Sequence, residues 1–549
     1  MQPVRSIRRP TRRSTRRLTL ALSAAALVAA SVSGCGSDDE RPTDRDPSAS
    51  ESQGGEEQDD RAVPDAPPLE ALPEDIPADL QSYYDQELDW GSCSGGGAAG
   101  FECATLTVPL DYENPDQASD LELAVTRSEA TGPGSRAGSL LMNPGGPGAS
   151  AVDFTQSTAS YLFPPEILAT YDMVAFDARG TGASHPIECL SGPEMDEHTE
   201  TDRTPDDSRE IDALQAAMEE FGEGCQESAG ELLEHISTVE AARDMDVLRA
   251  ALGDEQLTYV GFSYGTKLGS YYAGLFPQRV GRLVLDAAID PRLPTVDTDR
   301  EQAGGFETAF RSFAEDCSGH ADCPLGTEGA DAASEALSQL FADVDAEPLP
   351  TGDGERPLTE SLASTGVAQA LYSESLWPQL RDALTAAQNG DGAGLLELAD
   401  SYNERGTDGS YGTIMFAFPS ISCLDSPAGT GTPQEVQDVV DEYEEASPTF
   451  GADFAWATLQ CGVWPVEPSG HPVTIEAAGA QDILVVGTLR DPATPYEWAE
   501  GLADQLESGI LLTNDGDGHG AYAMGNSCID DAVNAYLLNG TSPEDGTSC

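Results

Sequence analysis

The chain has 549 residues, of which 39% are apolar, enough to bury more than one core, so two packed units are expected. Its 97 acidic against 27 basic side chains leave a formal charge of -70, which repels phosphates and excludes nucleic acid as a partner. The acidity implies a strongly hydrated surface, and Lys267 is the one lysine among the basic residues.

Residues 1–34 read as an export signal. MQPVRSIRRPTRRSTRRLTL carries seven arginines and no acid, and it runs into LALSAAALVAASVSG, a stretch too short to span a bilayer. Val32-Ser33-Gly34-Cys35 resembles a bacterial lipobox, with Cys35 as the lipidated first residue of the mature protein. Ordinary cleavage nearby would instead leave Cys35 incidental. The arginine pairs suit twin-arginine export, but Thr19 interrupts the expected hydrophobic pair, so the route stays open. Residues 35–75 are acidic, rich in Ser, Pro and Gly, and read as a disordered tether. No later run is apolar enough to cross a membrane. The expected location is the outer face of the cytoplasmic membrane, held only through lipid at Cys35, or the medium.

From residue 76 short β-rich runs alternate with helical ones. FECATLTVPLDY and LELAVTRSEA predict an opening pair of strands, and GSLLMNPGGPGAS and YDMVAFDARGTGAS predict two more, each ending in a glycine-rich loop. STVEAARDMDVLRAALG predicts a helix. Ser237 and Glu240 have capping-box spacing, Val239, Ala242, Met245, Leu248 and Leu252 make an apolar stripe, and Gly253 is the stop. LTYVGF, SYGTKLGSYYAGLF and VGRLVLDAAID follow as strand, helix and strand. This alternation over 76–292 predicts an α/β fold, a mostly parallel central sheet flanked by helices on both faces. Residues 293–475 read as a mostly helical cap inserted late in the sheet. Residues 476–549 return to it through DILVVGTLRDP, YEWAEGLADQLES and GILLTND.

Ten cysteines remain beyond Cys35, and they fall in local pairs: Cys93 with Cys103, Cys189 with Cys225, Cys317 with Cys323, Cys423 with Cys461, and Cys528 with Cys549. In an exported chain these predict five disulfides. Metal binding competes, but there is no C-x-x-C spacing and no histidine cluster beside them, so neither metal nor cofactor is expected.

GFSYG carries G-x-S-x-G around Ser263, a pattern that chance supplies roughly half a time in a chain so rich in Gly and Ser. Its setting is what gives it weight: an apolar strand before it, a helix directly after, and a sharp turn that lifts the hydroxyl above the sheet. A serine hydroxyl needs a base, and the base needs an orienting acid, in the chain order Ser, acid, His. Of the downstream histidines, His320 sits in a cysteine-bounded loop and His471 precedes a strand. His519, in NDGDGHG after the last strand, is the candidate base. Asp491 leaves the end of the preceding strand and is the candidate acid; Asp515 and Asp517 compete but lie close to His519 in sequence. In NPGGPGAS, Gly145 and Gly146 let backbone approach a carbonyl oxygen, and the amide of Tyr264 is a second candidate donor to an oxyanion.

Gly-Gly-Pro-Gly after a strand, GFSYGTKLG, LFPQRVGRLVLDAAIDP, ISCLD, CGVWP, DPATP and GHG together resemble the secreted actinobacterial tripeptidyl aminopeptidases. These are relatives of the prolyl iminopeptidases within the α/β-hydrolase superfamily, and the likeness covers about residues 85–549. It implies the α/β-hydrolase fold and a serine exopeptidase that cuts short units, tripeptides by the family's example, from the free N-termini of its peptide partners; a monomer is expected. It also implies Ser263, Asp491 and His519 as triad, with Gly146 and Tyr264 as oxyanion hole. LDAAID departs from the family, which often has glycine after the aspartate; the departure touches packing more than chemistry. An aminopeptidase also needs a carboxylate for the substrate ammonium, and Asp425 in ISCLDS is the candidate. The alternatives are an esterase or lipase with the same machinery, or a noncatalytic surface-binding lipoprotein.

Overall fold

The computed structural model describes residues 66–93, 98–115, 117, 119–134, 136–352, 354 and 356–549, all within one compact unit. The export signal, Cys35 and most of the tether lie outside the described residues. No helix among the described residues is long and apolar enough to cross a membrane.

Among the described residues nine strands form one sheet: β1 (Glu102–Pro109), β2 (Asp120–Ser128), β3 (Gly138–Asn143), β4 (Tyr171–Phe176), β5 (Leu257–Phe262), β6 (Val280–Asp286), β7 (Ile483–Arg490), β8 (Gly509–Asp517) and β9 (Thr547–Ser548). Their order is β1-β2-β4-β3-β5-β6-β7-β8-β9, antiparallel at β1–β2 and β2–β4 and parallel from β4 onward. This is the α/β-hydrolase fold. The parallel strands are apolar on both faces, as a sheet covered twice requires. Leu140, Met142, Val260, Val284, Leu484 and Val486 join one core, closed by Ile529, Val533 and Tyr536. The alternate residues Leu141, Tyr259, Leu283, Leu285, Ile483 and Val485 join the opposite core, with Met245, Leu268 and Leu502.

The helix expected at Ser237 spans Thr238–Ala251, with the Ser237 hydroxyl accepting from Glu240 N–H and Gly253 at φ +77° past its end. Glu240 does not complete the box, because its carboxylate turns to His235 Nδ1 at 3.1 Å.

Between β6 and β7 the chain forms helices around a separate apolar core that includes Phe306, Phe310, Leu337, Leu362, Leu380 and Leu395. Two boundaries differ from the sequence reading. The cap is not confined to 293–475, because helix Ser208–Ala229 is apolar at Leu214, Met218, Phe221 and Cys225, and that stripe meets two partners. Leu214 and Met218 pack with Val436, Tyr443 and Trp456 of the cap, whereas Phe221 and Cys225 reach the sheet core. The tether does not run to residue 75 either. Leu69 N–H donates to Thr474 O and Leu72 N–H to Leu275 O, both at 2.9 Å, and the two leucine side chains pack against the sheet core. All five expected disulfides are formed: Cys93–Cys103, Cys189–Cys225, Cys317–Cys323, Cys423–Cys461 and Cys528–Cys549.

Candidate active site

Ser263 lies between β5 and helix Tyr264–Leu275 at φ +54° and ψ -125°, a region that costs a side-chain-bearing residue about 1–3 kcal/mol. The turn is tied on both sides. Ser263 N–H donates to Asp286 O at 2.9 Å, and Thr266 returns its N–H (2.8 Å) and its hydroxyl (2.6 Å) to Ser263 O. The flanking glycines have a packing cause: a Cβ on Gly261 would collide with Gly265 O, and one on Gly265 would stand 2.7 Å from Asn143 O. Strand and helix therefore approach backbone to backbone, and the serine is left at the apex.

Asp491 is the first residue after β7 and is buried. Its Oδ1 accepts the N–H groups of Ala493 and Thr494, each at 2.9 Å, which fixes the carboxylate plane. His519 Nδ1 lies 2.8 Å from Oδ1 and 3.0 Å from Oδ2, so the structure brings these two residues together. The competing carboxylates, Asp515 and Asp517, pair with Arg490 at 2.9 and 3.0 Å instead. Burial by itself lowers the His519 pKa, but the charge and hydrogen bond of Asp491, with Asp286 adding to them, outweigh it and the net shift is upward. With Nδ1 held by Asp491, Nε2 is the nitrogen left to exchange a proton with serine. The C-terminal ends of β5, β7 and β8 deliver Ser263, Asp491 and His519 to one edge of the sheet.

The Gly-Gly-Pro-Gly loop lies directly against Ser263, the candidate nucleophile. A Cβ on Gly145 would come 2.6 Å from Phe262 O and 2.9 Å from Ser263 Cβ. Gly145 N–H is taken by Asn143 Oδ1 at 2.9 Å. Among the described residues, the N–H groups of Gly146 and Tyr264 donate to no protein group, which leaves both able to receive an oxyanion. Asp177 braces this loop from behind by accepting Ser150 Oγ and Val152 N–H at 2.9 and 3.0 Å.

Asp425 is a correction. Its carboxylate is buried, with Oδ1 accepting Thr238 N–H at 2.7 Å and Oδ2 accepting the Thr238 hydroxyl at 2.5 Å and Lys267 Nζ at 2.9 Å. Both oxygens are occupied within the core and its charge is already matched by the one lysine, so it cannot serve a substrate ammonium. Sequence reasoning also missed contacts to His519. Tyr372, from the cap, accepts His519 N–H on its carbonyl at 3.0 Å and sets its ring edge-on at 5.3 Å. The Thr494 hydroxyl stands 3.5 Å from Nδ1. Nothing local marks Tyr372, because only the folded cap brings it over the sheet. Thr494 is visible within DPATP, three residues after the acid.

Residues 447–549, which hold both Asp491 and His519, match the family model described as TAP-like protein. Serine protease Hip1 of Mycobacterium tuberculosis is 38% identical over 484 residues, covering 84% of this chain and 91% of its own. Carboxylesterase B of the same species is 37% identical over 482 residues, 84% of this chain and 90% of its own. Tripeptidyl aminopeptidase of Streptomyces coelicolor is 31% identical over 478 residues, 84% of this chain and 86% of its own. The chain belongs to the TAP-like family of α/β-hydrolases. It is a serine hydrolase.

For this TAP-like hydrolase, Ser263→Ala and His519→Ala are expected to lower kcat by about three orders of magnitude or more without unfolding the protein. Asp491→Asn should lower it by about three to four orders. A histidine base works only as neutral imidazole, so with His519 in that role kcat/KM is expected to fall as pH drops through a pKa above the ordinary histidine value. Removing the Asp491 charge should move that acid limb to lower pH in the residual activity. Wild-type rates for any of the three variants, measured with a chromogenic substrate, would remove that residue from the mechanism.

Proposed function

We propose that this serine peptidase is an exported aminopeptidase that releases short units, three residues long, from free N-termini through an acyl-enzyme. The observation that carries the reading is the Asp491–His519 pair on the sheet edge that also presents Ser263 beside the Gly145–Gly146 loop. The names of the protease and tripeptidyl aminopeptidase relatives support the peptide substrate. The carboxylesterase relative, at almost the same identity as the protease, favours ester hydrolysis as the second reading.

Peptide and ester substrates differ in the ammonium, and Glu404 takes the part that Asp425 cannot. It sits on the cap at φ +49°, with its carboxylate laid over Gly412, where a Cβ would collide with it. Ile414, two residues beyond Gly412, packs against Gly146 of the oxyanion loop. Tyr402, two residues before Glu404, packs its ring 6.1 Å from that of Tyr372, which covers His519. The cap residues that flank Glu404 thus touch both the oxyanion loop and the residue covering His519. Its carboxyl is exposed yet crowded by surrounding atoms, and this desolvation, followed by the charge of Asp153, pushes its pKa up. A substrate ammonium would relieve both effects. Exposed Tyr402 packs beside Tyr372, exposed Phe418 lies next to Gly148 of the oxyanion loop and exposed Met524 near Gly520, and the three would receive apolar substrate side chains.

Loss of a charged, hydrogen-bonded pair costs about 2–5 kcal/mol when buried and less at an exposed carboxylate. Free-amine tripeptidyl amides are therefore expected to exceed their N-acetylated forms at least tenfold in kcat/KM, and Glu404→Gln to shrink that preference with the acetylated rates unchanged. Equal wild-type rates on both, with faster cleavage of aryl esters, would overturn the aminopeptidase reading. The location rests on the arginine-rich N-terminus and the lipobox-like Val32-Ser33-Gly34-Cys35. Cys35→Ala in the full-length precursor should shift the protein from the membrane fraction into the medium. Retention as firm as the parent's would remove the lipid anchor.

A further inference from the structure

Ser263 and His519 sit at the ends of β5 and β8, strands kept apart in the sheet by β6 and β7. The segment that carries His519 reads GDGHGAYAMG and has positive φ at Gly518, Gly520, Ala523 and Gly525. So permissive a backbone does not hold an imidazole in place by itself. Asp491 grips the ring at Nδ1, and its only hold on the loop backbone is a 3.3 Å bond from Gly520 N–H.

We propose that Asp286, the last residue of β6, is a positioning residue that sets His519 at its working distance from Ser263. One residue reaches both partners. Its backbone carbonyl accepts Ser263 N–H at 2.9 Å, and its Oδ2 accepts the N–H groups of Ala521 at 3.1 Å and Tyr522 at 2.8 Å. The side chain is fully buried, so water does not compete for these bonds. Asp286 pairs in register with Phe262, the residue before the nucleophile, so a change at its end of β6 reaches the turn of Ser263 directly.

A purely stabilising role fits poorly with the rest of its surroundings. Asp286 Oδ1 is buried and accepts no hydrogen bond, a costly arrangement that an apolar residue would avoid. Burial lifts its carboxyl to about 6 even though two amides pull the other way. The carboxylate is kept where it weakens the fold and where its Oδ2 holds the His519 loop. The LDAAID stretch therefore touches chemistry as well as packing.

The test compares Asp286→Ala with Asp286→Asn in the full chain, with kcat expressed per folded enzyme from near-UV circular dichroism. The substrate is whichever ester or peptidyl amide the wild type cleaves, so the outcome does not depend on the aminopeptidase reading. Asp286→Ala should lower kcat at least thirtyfold with KM within twofold of wild type, because no substrate contact is removed. Asp286→Asn keeps an oxygen that can accept both amides and should recover most of that loss, to within tenfold of wild type. A kcat within threefold of wild type in folded Asp286→Ala would overturn the proposal, whatever its melting temperature. Should Asp286→Ala not fold, a folded Asp286→Asn with a kcat loss above thirtyfold or a KM change matching its kcat change would overturn it.

Discussion

Where β5 gives way to helix Tyr264–Leu275, the backbone passes through a left-handed conformation at Ser263, and the neighbouring parts are shaped to keep it there. Gly261 and Gly265 let strand and helix close on each other, and Gly145 lets a second loop come within contact of the same turn. Each of these positions excludes a Cβ for a steric reason that can be named. The strain at Ser263 persists because β5 is paired on both sides within a buried parallel sheet, which cannot relax at one residue without losing its ladder. A hydroxyl at the apex of such a turn is presented to the cleft with little freedom.

That edge of the sheet also explains how residues far apart in the chain meet. Parallel strands all end on one side, so the segments after β5, β6, β7 and β8 share a rim, and the long insertion between β6 and β7 lands above it. The cap is bound to the body below by more than its two ends. Helix Ser208–Ala229 packs on the sheet core through Phe221 and Cys225 and on cap residues Val436, Tyr443 and Trp456 through Leu214 and Met218, and Cys423–Cys461 ties the cap's last helices together. The cap carries Tyr372 over His519 and holds Ile414 against Gly146, so it completes the site it covers.

The charge balance constrains which acids can serve a substrate. With 97 acidic side chains in the chain, candidates for a carboxylate role are plentiful. Several of those near the cores are matched internally. Asp425 is matched by Lys267, Asp244 by Arg179 at 2.7 Å, and Asp246 by Arg249 at 2.8 Å and by Arg279. Removing one member of such a buried pair costs about 3–5 kcal/mol, so these carboxylates belong to the fold. Glu404 is different: surrounding atoms crowd it, and the charge near it is that of another acid, Asp153.

The order of strands and helices, the presence of a helical insertion late in the sheet, the disulfide partners and the candidates for nucleophile, base and acid were all legible in the sequence. Each is signalled by neighbours in the chain. Apolar period marks the buried faces, glycine marks the turns where a Cβ does not fit, and short separations single out the cysteine partners. What the sequence left open depends on residues hundreds of positions apart. Nothing around Asp425 says that Thr238 and Lys267 will occupy it, and nothing around Tyr372 says that it will rest on His519. Asp286 was visible as an acid at a strand end, but its two amide partners come from the loop after β8. Which acid is free, which is matched and which braces another residue is decided by three-dimensional proximity in a low-dielectric interior, and only the tertiary structure decides that.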